Sequence, residues 1–163
     1  MPKLPAKTAL TPLVVGLAIL VTGCTSAPAP TARPPTVFVI PTDLPNGRVE
    51  ITISPSYALG ALATIPVAIA VTRGSVTGPV RARVLASGIN EAGAPAEVLV
   101  RELAVAPLTV AANGRKSTTL TWDTRDTKGI VVPADAYSLV LEVRSDDGGA
   151  PRTLTAGATL ELR

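Results

Sequence analysis

In Tyr137-Ser138-Leu139-Val140-Leu141-Glu142-Val143-Arg144, the apolar residues Tyr137, Leu139, Leu141 and Val143 alternate with Ser138, Glu142 and Arg144. A period of two places one set on each side of an extended chain, so this stretch predicts a strand with one face in a core and one in water. The same period continues on both sides. Leu154, Ala156, Ala158, Leu160 and Leu162 form the strand after it, and Thr118, Leu120 and Trp122 line one face of the strand before it. Further upstream, residues 98–105 are a strand candidate, and Val80, Ala82 and Val84 alternate with Arg81 and Arg83. Ile65, Val67, Ile69 and Val71 alternate next, then Val49, Ile51 and Ile53 against Glu50, Thr52 and Ser54. Turn residues separate these runs at Arg73-Gly74-Ser75, Gly88-Ile89-Asn90, Asn113-Gly114 and Asp146-Asp147-Gly148-Gly149. About seven short strands at this spacing predict an all-β antiparallel sandwich over residues 48–163.

Residues 56–71 are almost uncharged and rich in alanine, which raises a helix or a membrane span as alternatives. Pro66 would break a helix, Gly60 would weaken it, and a span needs roughly 20 apolar residues. A loop running into a buried strand fits better.

The segment Thr121-Trp122-Asp123-Thr124-Arg125-Asp126-Thr127-Lys128-Gly129-Ile130-Val131-Val132-Pro133-Ala134-Asp135-Ala136-Tyr137 has a structural logic of its own. Trp122 ends a strand inside the core, and Asp123 and Asp126 are placed to bond amides of the following turn. Gly129 supplies a positive φ, and Pro133 denies a ladder bond as the chain crosses over. Tyr137 re-enters the core with a hydroxyl aimed at a loop carbonyl, as in a tyrosine corner. The same segment resembles the Trp-Asp-Gly-x-Asp-x-x-Gly-x-x-Val-Pro-x-Gly-x-Tyr pattern of bacterial Ig-like domains. Among these are the flagellar hook-capping protein's Ig-like domain and the BsuPI-type intracellular proteinase inhibitor domain. Trp122, Asp123, Asp126, Gly129, Val132, Pro133 and Tyr137 match, and the turn Ala112-Asn113-Gly114-Arg115 before a Thr-rich strand extends the likeness. Thr124 and Asp135 stand where the pattern has glycine; Asp is the milder departure because it tolerates the left-handed conformation. The resemblance implies an Ig-like sandwich, and for function it implies either a binding module or an inhibitor that acts through a loop.

Composition narrows the chemistry. The chain has 163 residues, no histidine and one cysteine. Imidazole bases, His-ligated metals, intrachain disulfides and Cys-rich zinc sites are therefore outside its reach. Its only aromatics are Phe38, Tyr57, Trp122 and Tyr137, too few for a base-stacking platform, and no nucleic-acid partner is expected. Calcium asks for about six to eight oxygens, and Lys128 beside Asp123 and Asp126 argues against it, so no metal site is expected. Lys116 and Ser117 are strand neighbours and point to opposite faces, which removes a Ser-Lys pair. Arg81 and Arg83 share a strand face, with Arg101 a possible third member, and read as a solvated sheet face. No catalytic residue and no cofactor are expected, and the chain is read as a non-enzyme.

The N-terminal segment is an address. Lys3 and Lys7 precede a charge-free apolar run over residues 10–21, too short for a permanent span. Val21-Thr22-Gly23-Cys24 then resembles the lipobox of bacterial lipoproteins, which implies cleavage after residue 23 and acylation of Cys24. In that family Thr25, rather than Asp, after the cysteine does not signal inner-membrane retention. Residues 24–47 hold six prolines and are expected to be an extended tether, with Thr36-Val37-Phe38-Val39-Ile40 an apolar exception suited to pairing with the domain's edge. Loss of Lys3 and Lys7 leaves the mature chain nearly neutral. The expected organisation is a signal peptide over 1–23, a Pro-rich tether over 24–47 and an Ig-like domain over 48–163. The expected role is that of a lipid-anchored binding or scaffolding module in the cell envelope. Its expected contacts are membrane lipid through Cys24 and a protein or glycan partner.

Overall fold

The computed structural model describes residues 36–163. Cys24, the expected signal peptide and the expected tether up to residue 35 lie outside the described residues. Nine strands follow one another: β1 (Phe38–Leu44), β2 (Gly47–Ile53), β3 (Ala63–Val71), β4 (Ser75–Ile89), β5 (Pro95–Leu103), β6 (Leu108–Ala111), β7 (Arg115–Trp122), β8 (Ala136–Asp146) and β9 (Arg152–Glu161). They form two sheets, β1-β2-β3-β7 and β5-β4-β8-β9, with β6 pairing the first part of β4. All strand pairs are antiparallel. The protein is an all-β sandwich. The adjacency β2-β3-β7 against β4-β8-β9 is that of strands A-B-E against C-F-G in an immunoglobulin sandwich.

The alternation that predicted the strands is what fills the core. Along β8, Tyr137, Leu139, Leu141, Val143 and Ser145 are buried while the residues between them are not. β3 buries Ala63, Ile65, Val67, Ile69 and Val71 in the same way. β-Branched side chains suit these positions because they pack on a pleated, half-buried surface. Pro66, which lacks an N–H, faces Thr119 of β7, and the β2–β3 ladder stops one residue short of it at Ile51–Val67. Pro41 sits on the edge strand β1, where a missing donor costs no ladder bond on its open side.

The structure corrects several expectations. The sandwich begins before residue 48: Phe38–Leu44 pairs along its whole length with Gly47–Ile53, so the tether expected over 24–47 loses its last part to the domain. Nine strands replace about seven, because β1 and the four-residue β6 are added. β4 is far longer than 80–84, and β5 starts and ends earlier than 98–105. Val80 points outward. Between Thr77 and Arg81 the β4–β8 register slips, so Gly78, Pro79 and Val80 together oppose Val143, and the bulge shifts the phase. A Cβ at Gly78 would come within 2.6 Å of Val143 Cγ1, which keeps glycine at the bulge. Arg101 does not join Arg81 and Arg83. It pairs with the inward residue Val84 beside a second register shift, and its Nη1 donates to the Asp126 carbonyl at 2.7 Å. Arg81 and Arg83 instead pair with Glu102 and Glu142, at 2.8 Å and 2.7 Å. The Arg81 guanidinium holds the Glu102 carboxyl below its usual range.

One polar residue joins the two sheets. Asn46, in the two-residue turn between β1 and β2, is completely buried. Its Nδ2 donates to the carbonyls of Ser75 (3.0 Å) and Asp146 (3.3 Å), and its Oδ1 accepts from the Ser145 hydroxyl at 2.7 Å. Its own carbonyl accepts from Thr72 N at 2.9 Å and from the Thr72 hydroxyl at 3.1 Å.

Candidate functional site

The connection from β7 to β8 is a loop built by side chains that bond backbone. Trp122 is 2% exposed at the end of β7, and its Nε1 donates to the Arg125 carbonyl at 2.9 Å. Asp123 Oδ1 accepts from Arg125 N at 3.3 Å. Asp126 Oδ1 accepts from both Lys128 N (2.8 Å) and Ile130 N (2.9 Å), an Asx turn closed further by Gly129 N to the Asp126 carbonyl. Gly129 has φ +80°, a conformation that needs no Cβ. Arg125 Nη1 donates to the Gly129 carbonyl at 2.7 Å, and Asp126 N bonds the Ile130 carbonyl. Pro133 lies between the strands and gives its carbonyl to the Tyr137 hydroxyl at 3.0 Å. The rings of Trp122 and Tyr137 meet edge to face, with centroids 5.5 Å apart.

Both departures from glycine have a structural outcome. Thr124, fully buried, takes the left-handed conformation itself, with φ +53°, an unusual setting for a β-branched residue. Its Oγ1 accepts from Gly60 N at 2.7 Å and sits 2.8 Å from the Asp123 carbonyl, so the hydroxyl fixes both this loop and the one before β3. Asp135 is not left-handed; its Oδ1 accepts from Ala136 N at 2.7 Å and its carbonyl accepts from Leu162 N. Sequence reasoning missed Tyr57, which it left in a loop. The backbone of Tyr57 bonds Glu161 and Arg163, and its hydroxyl accepts from Ser54 N at 3.0 Å. A lone aromatic in an uncharged, alanine-rich stretch was the available signal.

This ordered loop presents apolar side chains to water. Ile130 is 61% exposed and Val131 is also exposed. A cleft of about 430 Å³ separates the loop from the β4–β5 hairpin, and Leu99, Asp126, Lys128, Pro133, Asp135 and Tyr137 are among its lining residues. A lining that mixes apolar side chains with charged and hydroxyl groups suits recognition of a side chain or a short chain segment. The Tyr137 hydroxyl donates to the Pro133 carbonyl and Asp126 Oδ1 accepts from two amides, so both groups help hold the loop in shape. Among the described residues, no three His, Cys, Asp or Glu side chains gather as a metal ion requires.

Burial raises the Tyr137 hydroxyl above the ordinary tyrosine value, with Asp135 adding to the effect, and burial likewise raises Tyr57. Because the folded pKa lies above the unfolded one, the neutral phenols favour the folded state. That contribution is fully present below about pH 10 and is lost as pH rises through the folded values. Melting temperature is therefore expected to fall above pH 10, together with phenolate absorbance near 295 nm that titrates late. Phenols ionising at the ordinary value, with a flat melting temperature across that range, would refute the coupling.

Neither a search of protein families nor a search of characterised proteins finds a match to this sequence.

Proposed function

We propose that the chain is an exported, lipid-anchored protein of the cell envelope whose sandwich is a non-catalytic binding or scaffolding module. The observation that carries the binding role is the 123–135 loop. Its turn is held by a dense set of side-chain-to-backbone bonds, yet Ile130 and Val131 at its tip are left in water. Order without burial at a loop tip is what a preorganised recognition surface requires, since little entropy remains to be lost on binding. The anchoring role rests on the Val21-Thr22-Gly23-Cys24 lipobox and the Pro-rich stretch after it. Two or three acyl chains on Cys24 would hold the protein on a bilayer stably, where a single chain would be marginal.

Cys24→Ser tests the anchor. The wild type is expected to incorporate labelled fatty acid and to partition into detergent. The variant is expected to lose the label and to remain uncleaved or leave the membrane. A wild-type chain that takes up no acyl label refutes the lipobox reading. For the binding role, full-length protein solubilised from membranes is compared with Ile130→Asp and Val131→Asp. Both variants should melt as the wild type does and lose partner capture. Undiminished capture by both would place recognition elsewhere.

A further inference from the structure

Strand register sorts the loops to two poles. The turns after β1, β3, β6 and β8 gather at one pole, where Asn46 bonds Ser75 and Asp146. The start of β1, the loop 54–62, the loop 90–94 and the loop 123–135 gather at the other, where Trp122 meets Tyr137 and Tyr57 bridges to Leu162. The second pole carries nearly all the exposed apolar surface. Phe38, Leu59, Leu62, Ile89, Ile130 and Val131 stand there, with Ile89 73% and Leu62 65% exposed. Of the large apolar side chains exposed among the described residues, only Val80 lies well away from this pole and the strand ends that reach it. Exposed apolar side chains concentrated at one end of an otherwise polar sandwich mark an interaction surface.

Charge says what kind of surface fits it. Glu91, Glu97, Asp123, Asp126, Asp135 and Glu161 stand at this pole against Arg101, Arg125, Lys128 and Arg163, and Arg101 is spent on the Asp126 carbonyl. The four ion pairs among the described residues lie elsewhere, on β1–β2, on the outer face of β4 and between β2 and β7. The carboxylates at the apolar pole are therefore not neutralised by Lys or Arg salt bridges. The chain also enters the domain here, because Phe38 at the start of β1 pairs with Ile53 at the end of β2. Covalent geometry limits the 14 residue steps from residue 24 to Phe38 to about 50 Å, so the start of β1 stays within that reach of residue 24.

We infer that the apolar, acidic pole docks on a partner protein that presents apolar side chains within a Lys/Arg-rich rim, and that this partner is seated at the same membrane as the anchor. The location rests on the lipid-anchor reading; the chemistry of the partner does not. A lipid surface fits less well. Interfacial segments that lie on bilayers carry cations beside their apolar residues, and anionic headgroups would repel this rim.

The test uses the full-length chain in the cells that make it, with a photo-crosslinking amino acid at Ile130 or Leu62, and at Val80 or Asn113 as controls. The Ile130 and Leu62 probes are expected to give protein adducts at about tenfold the control yield, mapping to Lys/Arg-rich segments of the partner. Adding Glu91→Lys and Asp135→Lys should cut that yield about tenfold by placing like charges across the contact. Cys24→Ser should cut it comparably, about tenfold, by removing the high local concentration that anchoring confers. Equal yields at all four positions, adducts to phospholipid, or adducts to a second copy of this chain would overturn the inference. So would a charge reversal that leaves the yield unchanged. Acyl labelling of the same wild-type chain separates the two readings. Pole-specific adducts without acyl label refute the anchor alone, and label without pole-specific adducts refutes the docking alone.

Discussion

Trp122→Ala is expected to lower stability by about 3–5 kcal/mol, the range for emptying a buried tryptophan site. Native domains hold roughly 5–15 kcal/mol in total, so the variant should melt far earlier or fail to accumulate. Three losses add up at one position. Trp122 is the largest of the fully buried side chains, in a core otherwise made of Val, Ile, Leu, Ala and Tyr137, so its removal leaves a large void. Its edge-to-face contact with Tyr137 goes, a pairing worth about 0.5–1.5 kcal/mol beyond area. The Arg125 carbonyl loses its donor, and with it the first bond that closes the 123–135 loop. Cys24, the only cysteine, leaves no disulfide to offset the loss. Trp122→Phe separates the terms, because it keeps an aromatic ring and removes only the N–H and part of the volume. It should cost less than half as much. Trp122 is also the sole tryptophan, so its emission should be blue-shifted in the native state and move red on unfolding. Native emission at the fully hydrated position, with an unchanged melting curve in the alanine variant, would show the residue to be a surface one.

The Trp122–Tyr137 corner could be read from sequence because its chemistry is local. Asp126 bonds amides two and four residues away, Gly129 turns within the same loop, and Tyr137 reaches back four residues to Pro133. Residue type and spacing carry such features directly. The strands of β2, β3, β8 and β9 were legible for the same reason, since burial on one face writes itself as a period of two. What escaped depends on partners distant in sequence. Residues 36–40 read as an apolar exception suited to the domain's edge, as the pairing of Phe38–Ile40 bears out, but Pro41 and Pro45 gave the rest the composition of a tether, and only pairing with β2 carries the strand on to Leu44. Val80 and Arg101 were misplaced by register shifts in β4, which no count of periodicity reveals. Exposed apolar residues from four separate segments became one pole only when the topology collected them. Ile130 and Leu62, read singly, are unremarkable loop residues.

Asn46→Asp is the sharpest test of what holds the opposite pole. The replacement is nearly isosteric, so packing is preserved and only the hydrogen-bond chemistry changes. Asn46 is completely buried and uses its whole amide: both N–H donors go to the carbonyls of Ser75 and Asp146, and the oxygen accepts from Ser145. Those partners lie 29, 100 and 99 residues away, so this one side chain fastens the β1–β2 turn to β4 and β8. A carboxylate has no donor. Two part-buried carbonyls would lose their donor, at about 1–3 kcal/mol each, and would face a desolvated negative charge. The expected loss at pH 7 is about 3–5 kcal/mol. The pH dependence follows from the sign of the shift. Burial and the two carbonyl oxygens raise the folded pKa of the new carboxyl above its unfolded value of about 3.9, so the native state favours the protonated acid. The deficit should therefore be largest above the folded pKa and shrink as pH falls, when the O–H regains one carbonyl. Asn113→Asp is the control, an exposed turn residue with φ +58° whose change should stay within about 0.5 kcal/mol. If Asn46→Asp melted within that margin of the wild type, or its deficit did not change between pH 7 and acid, the clamp would carry no weight. The β1–β2 hairpin would then be held by its ladders and by the buried side chains of Leu44, Val49, Ile51 and Ile53.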